Sequence, residues 1–356
     1  MSQSRTKQLE QSLSNARQVY VPSDPIVTNI MDQLGAAYYS EGNYTDAMER
    51  YKESLEMKSK RQHADYSSIA ASLYDIAAVN MAQKHYIAAL FWLKECLKTR
   101  LTFVQEDQVA ISDTMHAMGQ VYMYENKAEL ALESYLEALS TRELVLPADD
   151  LSNVGLICSL GAVYCQLNHL DNAIECYKRA RDILLKHEGK ECKRQVAEVF
   201  KCMGCVFKHR GDYNDALVQY KEALAVYKEL YGDLSAPVNS TVAMIAHIQL
   251  LESHRQSCIL KIKEYIASRS KEMRYDFLSF TKEQKIQAAK YLLDYVTTCD
   301  VGNVCQAIEH SEGFLIHKAA LSNGRLAKIL KSLSLVRSSS RQEDIDNPQT
   351  QVTMCM

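Results

Sequence analysis

A period of 42 residues constrains this sequence more than any other feature. A large apolar residue followed by glycine or alanine recurs at this spacing, and only the last step is one residue longer. A fixed period of this length is typical of chains that stack copies of one small structural unit. The recurring pairs are Leu34-Gly35, Ile76-Ala77, Met118-Gly119, Leu160-Gly161 and Met203-Gly204.

Further columns keep the same register and predict two helices in each unit. A tyrosine, phenylalanine or asparagine lies four residues after the apolar residue. Small and large side chains then alternate at helical spacing. The small column is Ala47, Ala89, Ala131, Ala173 and Ala216, and the large column is Tyr51, Leu93, Tyr135, Tyr177 and Tyr220. Gly42 and Gly211 mark tight turns between the helices. A recurrent glycine within a helical pattern indicates that a neighbouring helix approaches closely there.

Composition and charge argue against several functional classes. The net charge is −3, which is not typical of a protein that binds nucleic acid. The polar start MSQSRTKQLEQS resembles neither a signal peptide nor a membrane span, and the odd number of cysteines, 11, does not indicate a disulfide framework. We therefore expect a cytoplasmic protein with reduced thiols, no membrane span and no nucleic-acid partner.

Motifs that would indicate catalysis are not found in the sequence. There is no phosphate-binding glycine loop, no GxSxG and no HExxH. Cys202 and Cys205 lie near His209, but a zinc site needs four ligands and the two cysteines flank the Met-Gly column of the repeat. We expect no catalytic residues, no metal site and no cofactor, and hence no enzyme.

The order Leu-Gly, Tyr, Ala, aromatic, Ala resembles the tetratricopeptide repeat family. The period exceeds that family's common repeat length of about 34 residues and resembles the kinesin light chain and nephrocystin-like branch, as does the linker YGDLSAPVNSTVAMIA. That branch usually carries paired asparagines before its Leu-Ala pair, whereas this chain has Asp32-Gln33 and Tyr74-Asp75 at the first two of these positions.

The resemblance implies an all-α fold, a right-handed superhelical solenoid of antiparallel helix pairs. We expect about five regular repeats at 26–234, a degenerate sixth repeat at 235–270 and an irregular helical cap at 271–330. Within the sixth repeat, a first helix is predicted from Val242 to about Leu251. Residues 1–25 are predicted to be weakly helical or disordered, and 331–356 to be a disordered tail.

One stripe on the first helix of each unit is not used by the core columns. Its members follow i, i+4, i+7 spacing, which places each triplet on one face. The resemblance implies that this first-helix stripe lines a concave groove. Its members are Asp32, Ala36 and Tyr39, then Tyr74, Ala78 and Met81, then His116, Gln120 and Met123, then Cys158, Ala162 and Cys165, then Lys201, Cys205 and Lys208.

The stripe predicts a peptide-binding groove that is apolar in the middle and basic at Lys201 and Lys208. A peptide or amphipathic helix of a partner protein, with acidic flanks, would fit it. We therefore expect a non-catalytic adaptor or scaffold, and the pattern predicts no particular oligomeric state. Two alternatives stay open. The stripe residues could only pack against neighbouring first helices, or the chain could be a transport or cytoskeletal regulatory subunit resembling the cargo-binding domain of kinesin light chain.

Overall fold

The computed structural model describes residues 2–271 and the isolated positions 286, 287, 289, 290 and 293. The expected cap and tail otherwise lie outside the described residues. Between residues 2 and 271 the secondary structure is all helical, which confirms the predicted all-α class. The helices are α1 (Ser2–Val19), α2 (Pro25–Ser40), α3 (Tyr44–Ser59), α4 (Tyr66–Ala82), α5 (Tyr86–Phe103), α6 (Gln108–Tyr124), α7 (Ala128–Glu143), α8 (Val154–Gln166), α9 (Leu170–Leu184), α10 (Lys190–Arg210), α11 (Tyr213–Tyr231) and α12 (Ala236–Lys271). A short 3-10 turn, Leu151–Asn153, precedes α8.

The chain divides into two compact units at Leu167. Unit 1 contains α1 to α8, and unit 2 begins at Asn168 and contains α9 to α12. In unit 1, consecutive helices pack in the pairs α2/α3, α4/α5 and α6/α7, and each second helix also contacts the next first helix. In unit 2, α10 pairs with α11.

The glycine column is where the two helices of a pair approach each other most closely. A Cβ atom built on Gly35 would lie 2.8 Å from Cε1 of Tyr51, and one on Gly204 would lie 2.8 Å from Cε1 of Tyr220. The same ring position in the third pair is occupied by Tyr135, which packs against Gly119. The large tyrosine column therefore packs on the side-chain-free column.

The turn inside each predicted repeat has the same backbone conformation in all five copies. One residue at the same column adopts positive φ: Gly42, Lys84, Asn126, Asn168 and Gly211. Only the two glycines are marked in the sequence, because glycine adopts this conformation without steric cost. Aspartates cap the starts of first helices, as when the backbone N–H of Ser68 donates to Asp65 and that of Ala110 donates to Asp107.

The N-terminal segment, for which a weak helix or disorder was expected, forms α1 and packs on α2. Leu13 and Ala16 are buried in one cluster with Val27, Met31 and Leu34. These contacts cover the apolar side of α2. Two polar contacts hold the ends of α1, since the Thr6 hydroxyl donates to Glu41 at 2.7 Å and Arg17 pairs with Glu53 at 2.6 Å.

The segment 235–270 differs from the expected helix pair. In place of a short helix from Val242 to about Leu251 followed by a second helix, the structure has one continuous helix, α12. The sequence from Val242 to Lys271 contains neither glycine nor proline, so no residue there favours a turn. The start of α12 packs on α10 and α11 through Val238, which joins Ala197, Ala223 and Tyr227 in one cluster.

The close approach at Gly119 makes a matched pair of substitutions informative. A Cβ at Gly119 would lie 2.5 Å from Cδ1 of the fully buried Tyr135, whereas a Cβ at Gly155 in α8 meets nothing within 4 Å. We expect Gly119→Ala to lower the free energy of unfolding by about 1 to 3 kcal/mol through overpacking. Gly155→Ala should leave it unchanged or raise it by up to about 1 kcal/mol. Urea unfolding of both variants measures this, and equal stabilities would contradict the close-contact interpretation.

Candidate functional site

The structure places the stripe residues of unit 1 on α2, α4, α6 and α8 with different degrees of burial. Ala36 and Tyr39 are exposed, whereas Met123 and Cys158 are buried and pack inside the unit. The remaining members are partly buried: Asp32, Tyr74, Ala78, Met81, His116, Gln120, Ala162 and Cys165. In this unit the stripe therefore combines packing positions with accessible positions.

An aromatic row lies at the end of unit 1 where the first helices stop and the second helices begin. It consists of Tyr39, Tyr44, Tyr86 and Tyr124, together with Met81. The Tyr39 and Tyr44 rings meet edge to face at 5.6 Å, and the Tyr86 and Tyr124 rings stack at 5.4 Å. Burial raises the pKa of Tyr39, and the neighbouring Tyr44 and Tyr124 raise it further. The row thus joins residues of three successive repeats and carries no charge at neutral pH.

A second row, toward the other end of the first helices, contains the basic residues Lys58, Arg100 and Arg142. They lie at the ends of α3, α5 and α7, one period apart, and we call them the cation row. Lys58 donates to Asp32 at 2.6 Å, Arg142 pairs with Asp113, and Arg100 lies over the Tyr74 ring at 5.7 Å from its centre. This row was not predicted from the sequence, although a basic residue recurs there at the period of the repeat.

Between Lys58 and Arg100 lies a carboxyl group whose pKa is raised. Burial and then the nearby Asp32 raise the pKa of Asp75 to about 6, while Lys58 and Arg100 act in the opposite direction. Burial likewise raises the pKa of Asp113, and Arg142 and Arg100 oppose this shift. Acidic and basic side chains therefore alternate across the first three repeats and compensate one another.

His116 is a neutral member of the stripe at physiological pH. Burial, with a smaller contribution from Arg142, lowers its pKa to about 4. A ring nitrogen, Nε2, lies 2.9 Å from the Ser159 hydroxyl, which ties α6 to α8. Within the part of the chain that the structure describes, no three His, Cys, Asp or Glu residues are grouped so as to hold a metal ion.

In unit 2 the stripe lies on α10, and its predicted basic character is partly compensated. Lys201 is buried and pairs with Glu198 at 2.8 Å. Lys208 is partly buried, and Cys205 accepts a hydrogen bond from the Tyr220 hydroxyl at 3.2 Å. At least one of the two lysines expected to favour acidic partner residues therefore already has an acidic neighbour.

Comparison with known sequences identifies the repeats. Two family models, both described as tetratricopeptide repeat, match residues 27–60 and 152–229. Both of these stretches therefore carry tetratricopeptide repeats. No curated protein sequence matches the chain significantly. The two family-model matches confirm the resemblance that the repeat columns indicated.

Solved structures share this fold. BtubC (BKLC) from P. vanneervenii is 20% identical with a TM-score of 0.59, and the match covers 65% of this chain and 92% of that one. A variant of a putative kinesin light chain from Podosopora anserina, with nearly identical TPR-like repeats, is 15% identical with a TM-score of 0.50. That match covers 59% of this chain and 98% of the other.

The repeat fold is that of a protein-interaction scaffold, since its stacked helix pairs present extended surfaces to other proteins. Among the described helices, none has a stretch long and apolar enough to cross a bilayer.

The raised pKa of Asp75 predicts a pH-dependent stability. An unfolded aspartate titrates near pH 3.9, so the folded state holds the proton more tightly, and stability is lost as the pH rises from about 4 to about 6. We expect Asp75→Asn, which removes this titration, to be more stable than wild type at pH 7.5, by on the order of 1 to 2 kcal/mol. At pH 4.5 this advantage should fall to about a third of its value at pH 7.5. Urea unfolding at both pH values tests it.

A matched control for this substitution is Asp182→Asn. The Asp182 side chain is 59% exposed, so removal of its charge should change stability little at either pH. If Asp75→Asn destabilises the protein equally at both pH values, Lys58 and Arg100 need the Asp75 carboxylate, and the pH argument is wrong.

Proposed function

We propose that this protein is a non-catalytic adaptor or scaffold of the cytosol, and that unit 1 binds a peptide or amphipathic helix of a partner protein along its first-helix stripe. The observation that carries the proposal is the aromatic row. It presents uncharged aromatic and thioether groups from three successive repeats, and Tyr39 remains 38% exposed. Tyrosine is enriched where proteins bind one another because its ring is large, rigid and amphipathic.

The two rows differ in how readily a partner could bind to them. Carboxylates and cations at the cation row already pair with one another, so a charged partner would have to displace these pairs. The aromatic row carries no charge, so an apolar side chain can be buried there without leaving a buried ion unpaired. We therefore propose that the partner inserts an apolar stripe at i, i+3 or i+4 spacing against Tyr39, Met81 and Tyr124.

Small residues along the first helices leave room for a partner backbone. Ala36 is exposed on α2, and Gly155 precedes Cys158 by three residues, so it lies on the same face of α8. Because a Cβ at Gly155 would meet nothing within 4 Å, the space beside it is open. Each large side chain that a partner buries fully contributes about 1.5 to 3 kcal/mol, and several anchors are needed to offset the cost of association.

In unit 2 we propose a smaller role for the stripe on α10. Lys201 is buried and pairs with Glu198, and Lys208 is partly buried, so the attraction of this stripe for an acidic side chain in a partner is weak. A surface ion pair contributes about 0.2 to 1 kcal/mol, which makes charge at this stripe secondary to apolar anchors.

The proposal predicts which substitutions abolish binding. Peptides selected from a random display library on the full chain serve as the probe, with affinity measured by fluorescence polarisation. Tyr39→Ala should weaken binding about 10- to 100-fold because it removes one apolar anchor. Gly155→Gln should weaken it as well, because the new side chain fills the open space without a clash, and thermal stability should not fall.

The matched control is Ile87→Glu, on the outer side of α5. Ile87 is 82% exposed and lies outside the stripe, so its replacement by glutamate should leave affinity unchanged. Equal loss of binding in Ile87→Glu and Tyr39→Ala would move the site away from the stripe. If the library yields no peptide that binds wild type, the proposed peptide-binding function is wrong.

A further inference from the structure

The cation row connects successive repeats through a contact that is repeated with constant spacing. Lys58, Arg100 and Arg142 each donate a hydrogen bond to the backbone carbonyl ten residues further on, at Ser68, Ala110 and Ser152. These carbonyls lie at the beginning of the next first helix or in the 3-10 turn before it.

The first two cations make an additional bond at constant spacing. Lys58 donates to the Ser72 hydroxyl at 2.7 Å, and Arg100 donates to the Thr114 hydroxyl at 2.6 Å, in both cases fourteen residues further on. The end of one second helix is therefore fixed to the first turns of the following helix by a single side chain.

The same three cations also reach the first helix of their own repeat. Lys58 bonds Asp32 and Arg100 lies over Tyr74, and both of these are members of the first-helix stripe. Arg142 pairs with Asp113, which precedes His116 by three residues and so lies on the same face of α6. Each cation thus joins three helical segments and fixes one side chain next to the proposed binding surface.

The fold itself does not require a cation at this column. In unit 2 the corresponding residues are Leu184 in α9 and Tyr227 in α11, and both are almost completely buried. Buried ion pairs often contribute no more stability than apolar residues of similar volume, because desolvation of the charges is costly. Lys58 is 2% exposed and Arg142 is 4% exposed, so this cost is present in unit 1. A cation differs from leucine in that its interactions are directional, because its hydrogen bonds are satisfied in only one placement of the neighbouring groups.

We propose that Lys58, Arg100 and Arg142 are positioning residues for the binding surface of unit 1. They hold each first helix against the preceding repeat and fix Asp32 and Tyr74 of the first-helix stripe and Asp113 on the same face, without themselves contacting the partner. The effect on binding rests on the proposed function, whereas the effect on the helix starts does not.

The test exchanges the two residue types that the chain itself uses at this column. Arg100→Leu introduces the residue of position 184, and Arg100→Lys introduces the residue of position 58. We expect Arg100→Leu to increase amide hydrogen exchange in the first turns of α6 by at least 10-fold and to weaken the selected peptides by about 10-fold. Arg100→Lys should restore both to near the wild-type values. The emission of Trp92, the single tryptophan, which packs between repeats in unit 1, should be unchanged in both and serves as the control for an intact core.

Each result decides a separate claim. Wild-type exchange and affinity in Arg100→Leu would overturn the proposal, and so would faster exchange with unchanged affinity, since the row would then be only structural. Failure of Arg100→Lys to restore either value would also overturn it. If no peptide binds wild type, the proposed function fails alone, because hydrogen exchange needs no peptide. If Arg100→Leu does not fold, Thr114→Val takes its place, because it removes the hydroxyl acceptor at nearly constant volume. The proposal then predicts faster amide exchange that is confined to α6, and unchanged exchange would overturn it.

Discussion

The contact of a buried tyrosine ring with a position that has no side chain is the constraint on which the helix pairs depend. Tyr51, Tyr135 and Tyr220 occupy the space that a Cβ would need at Gly35, Gly119 and Gly204. Since the ring and the glycine lie on facing helices, this contact sets how closely the two helices approach. In the α4/α5 pair the smaller Leu93 replaces tyrosine and Ala77 replaces glycine, and both are buried in one cluster. A smaller side chain in the large column thus accompanies a larger one in the glycine column, and the two helices still pack closely.

The repeat columns allowed the pairing to be predicted, because size complementarity is local to one repeat and visible in its residues. The turns were only partly predictable. Gly42 and Gly211 have the residue type that positive φ favours, and asparagine tolerates it, but Lys84 adopts the same conformation without a local preference. Packing of the flanking helices imposes this turn at Lys84. The docking of α1 was not predictable for a related reason, since its few apolar residues gain stability only from α2, a separate helix.

Spacing placed the stripe residues on one face of each first helix, but spacing does not measure burial. Met123 and Cys158 satisfy the same periodicity as Tyr39 and are nevertheless buried, because the neighbouring helices cover them. Lys201 was expected to present a charge, and Glu198, three residues earlier on the same helix, compensates it. The cation row was missed because basic residues at helix ends commonly interact with the helix dipole and solvent. Only their recurrence at the period of the repeat distinguishes Lys58, Arg100 and Arg142 from such residues.

The difference between the two units bears on why unit 1 retains buried charges. Leu184 and Tyr227 fill the same column in unit 2, so the helical repeat can be built without cations there. A leucine would fill the space equally well at any angle that avoids a clash, whereas Arg100 must satisfy Ala110, Thr114 and Tyr74 together. This requirement fixes the placement of the third repeat relative to the second, and the bonds from Lys58 to Ser68 and Ser72 fix the second relative to the first. The aromatic row spans the same three repeats, so its rings keep their relative positions only if those repeats do. The buried charges of unit 1 are therefore explained by the relative placement of the repeats that they fix, and not by the stability they contribute.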